Sequence, residues 1–577
     1  MKIIALQGKG KTGKSMVLKM FLKKILEKYS IVATEYSLNP ISVIGSLSAN
    51  DLADEMLKEN GGATNHTVSF EINGKKIGLT THGDMLWHVV KSITCLHDCE
   101  IVFCACKTKG DTKNYLTKSF KDLTIIVTEN ITPTNINLSN SFTDYTNKKQ
   151  IETLWKSLYK SLNVKKRRNC MQAVRDYILR NWKNTFHDPK EMHGGYTVPK
   201  PYISPSMGGI YTSDLYYWDV YFINLGLMAD GFDGQVENNL DNMAYFIDTL
   251  GYMPNASNLT DRSQPPLFCS AVYDYYVHKG DKAIIRKYMP YIKKEYDFWQ
   301  TQRKTPFGLN NFSTNGDEEL KLLHYRGLSD RVLEKRDTRE EQLALATDIM
   351  AIAESGLDFN MRFRTKRSKI DASAFLHLDL NCFLYEMEAK AAKMLEIVGE
   401  SPEPFKANAI ERKSLIERYF YDEKQGIYLD CNVVDGGFSE IVSAVSAYPY
   451  AFGISEDKKG MQKVLNLLEQ EYGVTPTPYR GEDVYYQWDY PCAWPAATCL
   501  IYKALKTLGL TNDAKRIAQK YMGTIDKDFE KTGRLWEKYD AVRGGMGVSS
   551  EYDTPEMMGW TAGVYVYFDE ELKRLNK

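Results

Sequence analysis

The chain has 577 residues, too many for one ordinary domain, and its 43% hydrophobic and 12% aromatic content is enough to bury a large core. Lys plus Arg and Asp plus Glu each number 74, a zero balance that excludes a general binder of nucleic acid or of anionic membrane. No run of about twenty apolar residues is present, so no membrane span is expected.

The N-terminal stretch MKIIALQGKGKTGKS lacks the long apolar run and cleavage site of a secretory signal. The ten cysteines are mostly scattered, which fits free thiols in a reducing cytosol, so a cytoplasmic location is expected. Residues 2–6 form a short apolar run suited to a buried parallel strand. The next eight residues, GKGKTGKS, satisfy G-x-x-x-x-G-K-S in full. Gly8 and Gly13 let backbone N–H groups close around phosphate oxygens. Lys14 reaches the terminal phosphates, and the Ser15 hydroxyl holds magnesium. The run MVLKMFLKKIL that follows has helical spacing, which sets the phosphates at a helix N-terminus.

Strand, loop and helix in that order predict binding of ATP or GTP with magnesium, in a three-layer α/β P-loop domain over residues 1–165. Asp84 and Asp111 each close an apolar run and serve either as a second magnesium-side acid or as loop caps. No phosphoryl acceptor site is evident, so transfer, hydrolysis and sensing of nucleotide all stay open. Cys95, Cys99, Cys104 and Cys106 cluster, but not at the spacing of a zinc ribbon, and no metal site is expected there. Residues 129–149 read as a polar loop, and Ile151, Leu154, Trp155, Leu158 and Leu162 then recur at helical spacing. The KKRR run at 165–168 reads as a solvated linker.

Over residues 166–577 the pattern changes to long helices, near 280–302, 375–398, 405–420, 457–472, 491–508 and 511–524. No alternating strand series separates them, so helical hairpins are predicted. Loops dense in Gly, Pro, Trp, Tyr and charge lie between, and such loops carry chemistry. One of them, ESGLDFNMRF at 354–363, holds a candidate proton donor, Asp358. Gly356 permits a tight backbone path ahead of it. Leu357 and Phe359 are expected to shield its carboxyl, and desolvation keeps a carboxylic acid protonated. Glycosidic bond cleavage needs such a group.

Five loops together resemble the trehalases over most of residues 196–563. They are YTVPKPYISPSMGGIYTSDLYYWDVYF (196–222), PNASNLTDRSQPPLF (254–268), RDTREE (336–341) followed by ESGLDF, YQWDYPCAWP (486–495), and WEKYD (536–540) with EYDTPEMMGWTAG (551–563). The resemblance implies an all-α toroid of six α-helical hairpins and inverting, metal-independent hydrolysis of α,α-trehalose to two glucoses. It implies Asp358 as general acid and Glu537 as general base. An inverting enzyme sets two such carboxyls roughly 6.5–9.5 Å apart, so that water fits between. Lys538 stands next to Glu537, and a nearby cation favours the ionised form that a base requires.

Sugar-binding roles carry over to Trp218, Asp219, Asn255, Arg262, Ser263, Gln264, Arg339, Glu341, Gly356 and Glu551. The pattern departs after Gly208 and Gly209, where Ile210 stands in place of the family's Arg, and this leaves the second sugar open. The expectation is therefore a trehalose-cleaving glycosidase fused to a nucleotide-binding domain, needing no cofactor for hydrolysis. Its alternatives are an α-glucosidase with another aglycone, or an inactive sugar sensor coupled to the P-loop domain.

Overall fold

A computed structural model of the chain describes residues 2–8, 18, 21, 22, 25, 33–38, 41–47, 67–72, 75–81, 86–107, 116–119, 123–127, 171–189, 196–208, 210–365, 369–481, 486–547, 554–556 and 558–575. The chain divides into two compact units, Met1–Asn169 and Cys170–Lys577.

The first unit is built on a seven-stranded sheet of order β3-β2-β4-β5-β6-β1-β7. Its strands are β1 (Lys2–Gly8), β2 (Ala33–Leu38), β3 (Ile41–Leu47), β4 (Thr67–Ile72), β5 (Lys75–Thr80), β6 (Ile101–Lys107) and β7 (Leu123–Val127). The apolar run expected to be a buried parallel strand is β1, which pairs in parallel with both β6 and β7. Leu18, Phe21, Leu22 and Ile25 are helical and fully buried, and Phe21 meets Phe103 of β6 edge-on at 5.0 Å. Helix α1 (Leu86–Cys95) contributes Val89 and Ile93 to the same core as Ile3 and Val102.

Simple strand–helix alternation is not what the sheet shows. β2 pairs antiparallel with β3 and β4, and β4 antiparallel with β5. The pairing Ile72↔Lys75 leaves only Asn73 and Gly74 between two strands, a dipeptide suited to a two-residue hairpin. The phosphate-binding candidates Gly13, Lys14 and Ser15, with Asp84 and Asp111, lie outside the described residues; Gly8 is the last residue of β1.

The second unit is a closed ring of helices. The inner members are α2 (Tyr217–Ala229), α4 (Phe268–Lys279), α8 (Leu378–Val398), α10 (Tyr448–Ala451), α12 (Pro495–Thr507) and α14 (Gly559–Leu575). Each packs on the next, and α14 packs back on α2. Around them lie α3 (Asp233–Leu250), α5 (Lys282–Gln302), α9 (Phe405–Phe420), α11 (Lys458–Leu468) and α13 (Thr511–Thr532), with residues 171–181 also helical. α6 (Glu318–Leu328) and α7 (Arg339–Glu354) form a further pair.

The sequence separates the two layers. α2 buries eleven of its thirteen residues, as a helix covered on all sides must. The apolar residues that α13 buries, Ala514, Ile517, Ala518, Tyr521, Met522 and Ile525, have the spacing of one helical face. Where the ring closes, two glycines let backbones touch. A Cβ on Gly226 would stand 2.7 Å from the Gly563 Cα, and one on Gly563 would stand 2.1 Å from the Phe222 carbonyl oxygen.

Candidate active site

The starts of α2, α12 and α14 and the loop leading into α4 meet around one cavity. Tyr217 N–H donates to the Asn255 carbonyl at 3.0 Å, and Asn255 N–H to the Arg262 carbonyl at 2.9 Å. The Gln264 side chain accepts from Trp218 N–H at 3.1 Å. These bonds tie the PN and RSQ groups to the start of α2. At the C-terminus of α7, fully buried Glu354 accepts from Ser263 N–H at 2.8 Å, from Ser313 N–H at 2.7 Å, and from Arg303 Nε and Nη2 at 2.9 Å each. Glu354 thereby anchors the loop that turns into Asp358. Gly356, at φ +75°, makes that turn, and a Cβ on it would stand 2.9 Å from the Trp218 indole. Trp488 N–H then donates to the Phe359 carbonyl at 3.0 Å, and Gln487 Nε2 donates to the Asp358 carbonyl. On the far side, Trp560 Nε1 donates to the Glu537 carbonyl at 3.1 Å.

The result is a cavity of about 200 Å³. Both expected catalytic carboxyls, Asp358 and Glu537, line it. So do Trp218, Asp219, Asn255, Arg262, Gln264 and Gly356. Four indoles pack together at its wall. Trp488 stacks on Trp494 at 4.0 Å between ring centres, and Trp560 meets Trp494 at 5.6 Å and Trp218 at 6.0 Å. Flat apolar walls edged by carboxylates, amides and guanidinium suit a ring bearing hydroxyls on its rim and C–H groups on its faces.

Charge within the cavity is unevenly shared. Glu537 is buried and its Oε2 lies 2.5 Å from Lys538 Nζ. Asp219 is buried too, and its carboxyl is pushed up to about 8 by desolvation, with the charges of Glu537 and Asp358 adding to the effect. Asp358 differs from expectation. Leu357 and Phe359 belong to the hydrophobic core, but the Asp358 side chain faces the cavity and stays 36% exposed. Its neighbours therefore do not exclude water from the carboxyl, a task left to a bound substrate. Arg331, lying over the Phe359 ring at 4.7 Å, places Nη2 3.8 Å from Asp358 Oδ2.

Three expected contacts are placed elsewhere. Ser263 is buried outside the cavity lining, its Oγ donating to the Met253 carbonyl at 2.6 Å, so it shapes the loop. Arg339 pairs with Glu318 on the exposed surface at 2.9 Å. Glu341 forms a capping box with Thr338 at the start of α7, the physical reason an acid stands at that position. Neither Arg339 nor Glu341 lines the cavity. Glu551 lies outside the described residues. Sequence reasoning missed Arg331, Gln487, Trp488 and Trp560 as lining residues. The last three stand inside quoted motifs and were within reach; Arg331, in an irregular polar stretch after α6, carries no such signal.

A family model described as trehalase matches residues 93–573. The chain is 28% identical to the periplasmic trehalase of Escherichia coli O6:H1 over 426 residues, 68% of this chain and 73% of the relative. It is 29% identical to the periplasmic trehalase of Pseudomonas aeruginosa over 394 residues, 64% of this chain and 70% of that one. The solved structure of neutral trehalase Nth1 from Saccharomyces cerevisiae superposes with a TM-score of 0.53 at 22% identity, covering 64% of this chain and 73% of that one, and shows the same helical fold. With a ring of helices, two carboxyls in one cavity and a family match over most of its length, the chain belongs to the trehalase family and is a glycoside hydrolase.

Proposed function

We propose that the enzyme hydrolyses α,α-trehalose to two glucoses with inversion, Asp358 acting as general acid and Glu537 as general base. The observation that carries this reading is the pairing of these carboxyls in one cavity walled by indoles and edged by Asn255, Arg262 and Gln264. Asp358 protonates the glycosidic oxygen as its bond to the anomeric carbon breaks. Glu537 takes a proton from the water that attacks the opposite face, so one glucose is released as the β-anomer. The two carboxyls move both protons, so chelators are expected to leave turnover unchanged.

Ile210, 47% exposed beside the cavity residue Tyr211, favours one second reading, an α-glucosidase with a different aglycone. A panel of α-glucosides followed by NMR immediately after mixing separates the two. Trehalose cleaved with early β-glucose supports the reading, and retained α-configuration overturns the mechanism. Asp358→Asn and Glu537→Gln are each expected to lower kcat by roughly a hundred- to ten-thousand-fold. KM should stay within about tenfold, because each substitution removes proton transfer and keeps shape.

The motif at 8–15, beginning on the last residue of β1, a strand paired on both sides, supports binding of ATP or GTP with magnesium by the first unit. Lys14→Ala should weaken that binding at least about tenfold in a titration with labelled nucleotide, since it removes a phosphate-facing charge. Equal affinity in both proteins would remove the assignment. A reducing, cytoplasmic location is supported by the free thiols of Cys99, Cys269, Cys382, Cys431 and Cys499. No described helix is long and apolar enough to cross a membrane.

A further inference from the structure

Three carboxyl groups, Asp219, Asp358 and Glu537, line one cavity, and a lysine reaches one of them from inside the protein. The Lys538 side chain is 0% exposed. Its Nζ lies 2.5 Å from Glu537 Oε2 and 4.7 Å from the centre of the Trp494 ring. Its stem rests on Gly547, where a Cβ would stand 3.0 Å from the Lys538 Cγ. A buried ammonium persists when an anion and a π face receive it, and a buried carboxylate persists beside such a cation. Asp219 is comparably buried, but the charges acting on it are those of Glu537 and Asp358.

On the reading of Glu537 as the base, we infer that Lys538 is a positioning residue that assigns the cavity's buried negative charge to Glu537 rather than to Asp219, so that Glu537 accepts the proton from water. Other titratable groups surround the pair. Asp219 faces it from α2, and Asp358 from the loop after α7. Cys492 feels the charges of both Lys538 and Glu537, Asp489 and Asp540 act on that same thiol, and Arg262 and Arg331 line the same cavity. Without the ammonium, the carboxyls around Glu537 favour its protonated form, and the proton-accepting species is lost at higher pH than in the wild type.

The test is the pH profile of kcat/KM for Lys538→Met, Lys538→Gln and Lys538→Arg, measured beside Glu537→Gln on a glucoside that the wild type cleaves. The acid limb should rise by roughly 1–3 pH units in the Met and Gln variants, stay near its original place in the Arg variant, and leave KM almost unmoved. An unmoved limb in folded Met or Gln variants, with only the melting temperature lowered, overturns the inference. So does failure of both neutral variants to fold, which makes Lys538 a structural cation. Wild-type turnover in Glu537→Gln would instead remove the base itself, a result that the lysine variants cannot mimic.

Discussion

Glu341 shows how one carboxylate can satisfy a motif and still serve the backbone. In the sequence it stands two residues after Arg339 and reads as half of a sugar-gripping pair. In the structure its carboxylate closes a capping box on Thr338, which satisfies N–H groups that the first turn of α7 leaves unpaired. Arg339 spends its charge on exposed Glu318. Arg339→Ala is expected to leave kcat/KM within about twofold and stability within about 1 kcal/mol, the range of exposed ion pairs. Glu341→Ala should also keep activity, while lowering the urea midpoint slightly as its half of the capping box is lost. Steady-state kinetics and urea unfolding check both, and a loss of activity beyond about tenfold would return the pair to the site. The two cavity carboxyls, Asp358 and Glu537, and the RSQ loop were legible because their motifs are particular. Arg331 was not, because its place depends on how the α6–α7 pair folds over the ring, and no local pattern encodes that.

At the level of helices, legibility followed amphipathicity only in part, since the inner helices α8 and α12 were also singled out, near 375–398 and 491–508. The segments singled out near 405–420, 457–472 and 511–524 correspond to α9, α11 and α13, which show one face to water. α2 was not among them. Nearly all its side chains are buried, so its apolar residues do not recur every third or fourth place. The crossing of α2 with α14 depends on Gly226 and Gly563, whose missing side chains set the closeness of two backbones. Gly563→Ala drives a methyl group into the Phe222 carbonyl, so the helices must part. A destabilisation of about 1–3 kcal/mol is expected, as for overpacked cores. Turnover should fall as well, because Trp218 and Trp560 line the cavity from these two helices. The midpoint of urea unfolding measures the first effect, and an unchanged midpoint would show that the crossing has slack.

Across the whole molecule, buried carboxyls tie stability to pH. Burial pushes Glu295 up to about 8, and Asp348 and Asp489 up to about 7. In an unfolded chain such groups ionise near pH 4. Above that pH the native state holds protons that the unfolded state has released, so these groups make stability fall as pH rises towards 8. His377, buried and held below its usual value, acts in the opposite sense only below about pH 6.5. Calorimetric melting temperature should therefore fall between pH 6.5 and 8, and Glu295→Gln should flatten part of that slope. A rising melting temperature over this window would contradict the buried, protonated state of these carboxyls.

The closure of the ring by α2 and α14 also bears on how the enzyme comes into being. Trp218 and Asp219 are made early in the second unit, whereas Glu537 and Trp560 come from its last hairpin. During synthesis the cavity lacks the wall formed by Trp560 until α14 has been made. A chain cut short by stalled translation or by a protease ahead of Gly559 would keep Asp358 and Glu537 but lack Trp560, its α2 left without the helix that covers it, and is expected to be inert. Sugar cleavage is thus expected only once α14 has docked on α2.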